Sequence, residues 1–173
     1  MKSVTDENIA EHSAQVAQIA HALALIKNRK FGGNLNPDRV ATMALYHETS
    51  EVLTGDLPTP IKYYNPEIRK AYKEIEGIAN EKLLSMLPEE LREDYRELMV
   101  EDPSSYEYIL VKAADKISAY IKCVEELRSG NREFAKAEKS LREEIRKYEI
   151  YDEVRYFCEM FLATFRKTLD ELE

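Results

Sequence analysis

The sequence predicts an all-α protein, and three observations carry that expectation. The 173 residues contain only 5 Gly and 6 Pro. No period-2 alternation of apolar and polar residues persists beyond a few positions. Charged residues are spaced as on the solvent faces of amphipathic helices. At this length one domain is expected, with a core that buries roughly 68–70% of the unfolded chain's surface.

Each helix has its own local warrant. The first is expected from near Thr5 to about Lys30, with Ile9, Val16, Ile19, Ala20, Leu23 and Ile26 at spacings of three and four, and Phe31-Gly32-Gly33 ends it. Asn36-Pro37 and Asn65-Pro66 each place Asn at an N-cap and Pro at the first helical position, which sets starts near 37 and 66. Ser104-x-x-Glu107 has the form of a capping box and sets a start near 105. A shorter helix follows Pro88, another follows Gly130-Asn131, and the last runs from about Tyr151 to Leu169. No linker, repeat or low-complexity segment interrupts them. Thr54-Gly55-Asp56-Leu57-Pro58-Thr59-Pro60 cannot be helical, because Pro58 and Pro60 bias their predecessors to extended geometry. A stiff loop with polar tips is well placed to line a pocket.

Composition excludes some functions. With Asp+Glu 33 against Lys+Arg 25 the net charge is -8, and no basic cluster gathers the positive charge. Such a surface repels a phosphate backbone, so a nucleic-acid polymer is not an expected partner, whereas a single nucleotide held through a metal is compatible. Cys123 and Cys158 sit in apolar helical patterns and read as buried free thiols, which fits a reducing cytoplasm. The N-terminus lacks an apolar signal region, and no run reaches the ~18 apolar residues of a membrane span. A soluble, cytoplasmic protein without a membrane partner is therefore expected.

Three stretches carry chemistry: Glu11-His12-Ser13, His47-Glu48-Thr49-Ser50-Glu51 and Ala114-Asp115-Lys116. They offer two imidazoles and up to four carboxylates, a donor set suited to a divalent transition metal with an open position. His12 follows Ile9 by three residues and precedes Val16 by four, so it points inward with the apolar stripe. His21 lies half a helical revolution further round and is expected to face solvent. On the second helix Val40, Met43, Ala44, His47, Glu48 and Glu51 share one inward band. Burying ionised carboxylates there costs several kcal/mol each unless a metal or neighbouring cations offset it. Asp115 lies among Val111, Ala114, Ile117, Ser118 and Ile121. From spacing alone these residues are equally compatible with a metal site and with hydrogen-bonded polar groups in the core. Glu11, Glu125, Glu126, Glu143 and Glu144 read as solvated charge. Of the 11 Tyr, Tyr63, Tyr64, Tyr106, Tyr108 and Tyr120 read as core and interface residues.

The order Glu-His-Ser, His-x-x-x-Glu before Thr-Gly-Asp-Leu-Pro-Thr-Pro, and Ala-Asp on a later helix resembles the bacterial 5′-deoxynucleotidases of the HD-domain metal-dependent phosphohydrolase superfamily. The likeness extends to Ala22-Leu23-Ala24, Ile26 through Asn34, Glu51 through Pro60, and Ala119-Tyr120 with Lys122-Cys123. An HD dyad alone is a weak signal; the loop from Thr54 to Pro60 beside it is specific. The resemblance implies a single-domain HD fold of about six to seven helices. It implies that His12, His47, Glu48 and Asp115 hold a divalent metal of the Co, Mn, Cu or Zn type, that Glu51 acts on the water or leaving group, and that Asp56 and Thr54 contact the substrate, Asp56 at the deoxyribose. The implied reaction is hydrolysis of deoxyribonucleoside 5′-monophosphates, by a homodimer.

Two departures modify these expectations. The superfamily's dyad is His-Asp, and the chain has His47-Glu48, whose extra methylene moves the carboxylate by about 1.5 Å. A retained site with altered geometry or metal preference is expected. The family also carries an Arg-Trp pair upstream of the first metal histidine, associated with gripping phosphate and rejecting a ribose 2′-OH. The eleven residues before His12 contain neither, and Trp is 0 in the whole chain. Met1 thus resembles an internal methionine of a longer family member, and slow, poorly selective hydrolysis is the expectation for these residues alone. Two alternatives stand beside this reading: a non-catalytic HD helical module that binds metal or nucleotide weakly, and an HD phosphohydrolase with another nucleotide substrate.

Overall fold

The computed structural model describes residues 3–4, 7–55, 65–100, 102–167 and 169–171. Its main helices are α1 (Ile9–Lys30), α2 (Pro37–Tyr46), α3 (Glu51–Thr54), α4 (Pro66–Ser85), α5 (Arg92–Met99), α6 (Tyr106–Arg128), α7 (Ala135–Tyr148) and α8 (Asp152–Phe161). Short 3-10 turns precede α5 and α7 and follow α8. The all-α expectation holds, with no strand among the described residues. The chain divides into two compact units, Met1–Leu45 with Pro103–Glu173, and Tyr46–Asp102.

In the first unit α1 packs against α6 and α8, and α6 packs against α7. The cause is legible in the stripe of α1: Val16, Ala20, Leu23 and Ala24 are fully buried, and face Leu110, Ile117 and Ile121 of the same core. Each large aliphatic side chain so buried stabilises the fold by about 1.5–3 kcal/mol. Ile9, counted in the stripe, is exposed, because α1 begins at that residue and not near Thr5. Asn8 is the N-cap: its side chain accepts from Glu11 N at 3.0 Å, and Glu11 returns by accepting from Asn8 N at 3.1 Å. Glu11 is therefore a capping residue as well as a solvated charge.

Three polar groups tie this core together. Glu153 of α8 has no exposed surface, accepts a hydrogen bond from Tyr106 Oη at the start of α6, and lies 3.4 Å from Lys27 Nζ of α1. The hydrogen bond with Tyr106 first, and then the charge of the Glu153 carboxylate, hold the Lys27 ammonium above its ordinary pKa against the opposing effect of burial, and burial pushes the Tyr106 phenol up. Tyr106 also meets Tyr151 edge to face at 5.6 Å, and Tyr120 is buried. Glu126, expected to be solvated, is 2% exposed. Its carboxylate accepts from Val4 N at 2.9 Å and Asn131 Nδ2 at 2.7 Å, with Lys122 Nζ at 3.3 Å. Those donors compensate a burial that periodicity alone could not reveal.

Local differences from the expected boundaries have local causes. The N-cap of α6 is Ser105, whose Oγ accepts from Tyr108 N at 3.3 Å, so the cap sits one residue beyond the expected Ser104 box. The last helix ends at Phe161, not near Leu169; Thr164 Oγ1 donates to Phe161 O at 2.5 Å and competes for a carbonyl that a continuing helix would use. The starts at Pro37 and Pro66 are as expected, and Asn65 caps α4 by accepting from Ile68 N at 2.7 Å. Cys123 and Cys158 are buried free thiols. No helix among the described residues is long and apolar enough to cross a membrane.

In the second unit α4 packs on α3 and on α5. Tyr72 of α4 is buried and donates its hydroxyl to Gly55 O at 2.9 Å, which anchors the end of α3. Gly55 has φ +68°, a conformation that strains residues with a Cβ, and it turns the chain out of that helix.

Candidate functional site

Candidate functional side chains stand in both units. In the first, α1 carries His12 one turn past its cap, and α6 carries Asp115 at mid-helix. Packing of the two helices brings His12 Nε2 to 3.3 Å from Asp115 Oδ1, with the side chains 16% and 12% exposed. The other carboxylate oxygen, Oδ2, accepts from Lys116 Nζ at 2.9 Å. Nothing in the spacing singles out Lys116, yet it neutralises one edge of Asp115 and leaves the other turned to the imidazole. Two donors that share one ion at bond lengths of about 2.0–2.2 Å stand about 3–3.5 Å apart. The observed gap fits that arrangement.

The expected inward band on one continuous helix from Val40 to Glu51 is not found. α2 ends at Tyr46, and His47 through Ser50 form a turn before α3. Thr49 supplies a cause: its hydroxyl donates to Tyr46 O at 2.7 Å, while its backbone N–H reaches the same carbonyl at 3.1 Å. The i→i+3 bonds that follow, Glu51 N to Glu48 O at 2.9 Å and Val52 N to Thr49 O at 3.2 Å, tighten the chain. The turn sets His47 Nε2 3.7 Å from Glu48 Oε1, with side chains 6% and 25% exposed. Adjacent residues on a straight helix would point about 100° apart; the turn lets both act as donors. Glu51 opens α3 with its side chain buried, and Thr54 ends it, its hydroxyl donating to Gly55 O at 2.9 Å.

Asp56, Pro58, Pro60, Tyr63 and Tyr64 lie outside the described residues. His21 is partly exposed beside Asp38, at 3.5 Å, in keeping with its exclusion from the site.

An α-helical chain with an inward His–Asp pair joining two long helices, and a second histidine–carboxylate pair in a turn, has the hallmarks of an HD-domain phosphohydrolase. The fold matches the crystal structure of an HD-domain phosphohydrolase from Listeria innocua with TM-score 0.85 and 27% identity, covering 95% of this chain and 79% of that one. It also matches a conserved hypothetical protein from Pyrococcus furiosus with TM-score 0.63 and 28% identity, covering 88% and 85%. More narrowly, the family model described as 5'-deoxynucleotidase YfbR-like matches residues 1–165, and the chain belongs to that family. A 5'-deoxynucleotidase of Vibrio cholerae is 57% identical over 99% of this chain and 89% of its own length. One of Erwinia tasmaniensis is 54% identical over 99% and 87%. Membership places the chain among phosphohydrolase enzymes.

Proposed function

We propose that the chain hydrolyses deoxyribonucleoside 5′-monophosphates to deoxyribonucleosides and inorganic phosphate. The observation that carries this reading is identity above one half to proteins named 5'-deoxynucleotidase, along nearly the whole chain. Residues 1–173 are assigned to a single HD-type domain, in a homodimer; the family match over residues 1–165 supports the first part of that assignment. The buried free thiols suit a reducing cytoplasm.

One divalent transition-metal ion is assigned to His12, His47, Glu48 and Asp115. Two neutral imidazoles and two carboxylates are ordinary ligands for Co, Mn, Cu or Zn, and the 3.3 Å spacing of His12 and Asp115 is that of neighbouring donors. When bound, such an ion supplies Lewis acidity toward phosphoryl oxygen and eases deprotonation of water. The residues do the rest. In hydrolysis a water oxygen forms a bond to phosphorus, the bond from phosphorus to O5′ breaks, and a proton must reach the departing oxygen. Glu51, buried at the head of α3, is assigned proton transfer at the attacking water or at the departing oxygen. Asp56 and Thr54 are assigned to the substrate, with Asp56 at the deoxyribose. Glu48, in place of the aspartate usual in the dyad, reaches one methylene further from its backbone and alters metal preference.

The test is phosphate release from dAMP, dGMP, TMP, AMP and dADP with a panel of divalent metals. Release from the deoxy-monophosphates, with little preference over AMP, and none from dADP supports the reading; release from dADP alone would move the substrate to another phosphorylation state.

A further inference from the structure

Ser118 and Gln15 surround the rear of the His12 imidazole, and neither belongs to the ligand set. Ser118 of α6 has no exposed surface. Its Oγ lies 3.4 Å from His12 Nδ1 and donates to Gln15 Oε1 at 2.6 Å. Gln15 is on α1, one turn beyond His12. Across the ring, His12 Nε2 faces Asp115 Oδ1 at 3.3 Å.

Counting protons decides what this arrangement does. A serine hydroxyl has a single proton to donate and lone pairs to accept with. That proton is committed to the amide oxygen of Gln15, so toward His12 the hydroxyl can only accept. The neutral imidazole must then carry its proton on Nδ1, which leaves the Nε2 lone pair directed at the Asp115 side. Metal ligation needs that lone pair. The opposite tautomer would put a proton on Nε2 and use it in a hydrogen bond to Asp115, a satisfied pair that excludes an ion. We propose that Gln15 and Ser118 are positioning residues that hold His12 in its Nδ1–H tautomer, and so keep the Nε2 lone pair available to the metal.

The amide of Gln15 is the deciding element, because a side-chain amide turned end for end would donate to Ser118. The hydroxyl proton would then be released toward Nδ1, and the tautomer would reverse. A hydrocarbon at position 15 removes the acceptor and permits the same reversal; a carboxylate preserves the acceptor.

The inference rests on His12 being a metal ligand, and the experiment separates the two. First, the ¹⁵N shifts of His12 are read in metal-free protein above the pH at which the ring is protonated. Wild type and Gln15→Glu are expected to show Nδ1–H, and Gln15→Leu a shift toward Nε2–H. Second, Co²⁺ affinity is measured by calorimetry. Ser118→Ala, a small change at a buried position, and Gln15→Leu are expected to bind about 10–100-fold more weakly, with Gln15→Glu close to wild type. Nε2–H in the wild-type protein, or unchanged tautomer and affinity in both Gln15→Leu and Ser118→Ala, overturns the proposal. If instead His12→Ala keeps full Co²⁺ affinity, the ligand assignment itself falls.

Discussion

His12 Nε2 and Asp115 Oδ1 stand 3.3 Å apart although 103 residues separate them along the chain. The contact follows from the apolar stripe of α1 lying against α6, which fixes both side chains on opposed helices before any ligand arrives. A preformed pair of donors spares an ion the cost of ordering them. Asp115→Ala is therefore expected to retain helical content by circular dichroism and to lose metal after dialysis, read by elemental analysis. Stoichiometric metal in that variant would remove Asp115 from the ligand set.

Glu51 is buried without belonging to the proposed ligands. Glu51→Gln keeps the size of the side chain and removes the carboxylate proposed to move the proton. Bound metal is expected to stay near one ion per chain while turnover falls by about 10²–10⁴-fold. Undiminished phosphate release would assign the proton to another group.

The Glu153 carboxylate is enclosed by α1, α6 and α8, and its removal leaves Tyr106 Oη without its acceptor and Lys27 without its counter-ion. Glu153→Ala is expected to destabilise by about 3 kcal/mol, the low end for a broken buried pair because Lys27 retains some solvent. Urea unfolding checks this through a lower midpoint with unchanged slope. Glu125→Ala, at an exposed site one residue before Glu126, should stay within about 0.5 kcal/mol of wild type.

Burial pushes both thiols up, Cys123 and Cys158 each to about 11 from 9.0. Below the unfolded value both states keep the proton, and the thiols contribute no pH dependence. As pH rises through 9.0 toward about 11 the unfolded chain loses thiol protons first, so stability is lost in that window. The thermal midpoint of wild type should fall more steeply above pH 9 than that of the Cys123→Ala, Cys158→Ala double variant. Equal slopes would mean that the thiols ionise freely in the fold. Alkylation at pH 8 should likewise be slow until the protein is unfolded.

Signals contained within a few residues were legible in the sequence. Asn36-Pro37 and Asn65-Pro66 open helices at the expected places because capping is a matter of one side chain and the next turn. The inward character of His12 and Asp115 followed from their apolar neighbours at three and four residues. Long-range compensation was not legible: Glu126 looks like any surface glutamate until Val4, 122 residues away, supplies its donor. The turn at His47–Ser50 was also hidden, because Thr49 fits a helix as well as it breaks one, and only its bond to Tyr46 O shows which. Ser118 reads as a small residue in an apolar run, and its link to Gln15 depends on how α1 and α6 meet. The family came from the motif order and the loop after Glu51, which no periodicity explains.

Hydrolysis of deoxyribonucleoside 5′-monophosphates is proposed to depend on one divalent ion held by His12, His47, Glu48 and Asp115. The most direct measurement titrates metal-free protein with Co²⁺ and follows bound metal and phosphate release from dAMP in the same samples. Release should rise in proportion to bound ion and level off at about one ion per chain, and His47→Ala should lose both together. Phosphate release that persists at full rate in the metal-free protein, or in His47→Ala without bound ion, would contradict it.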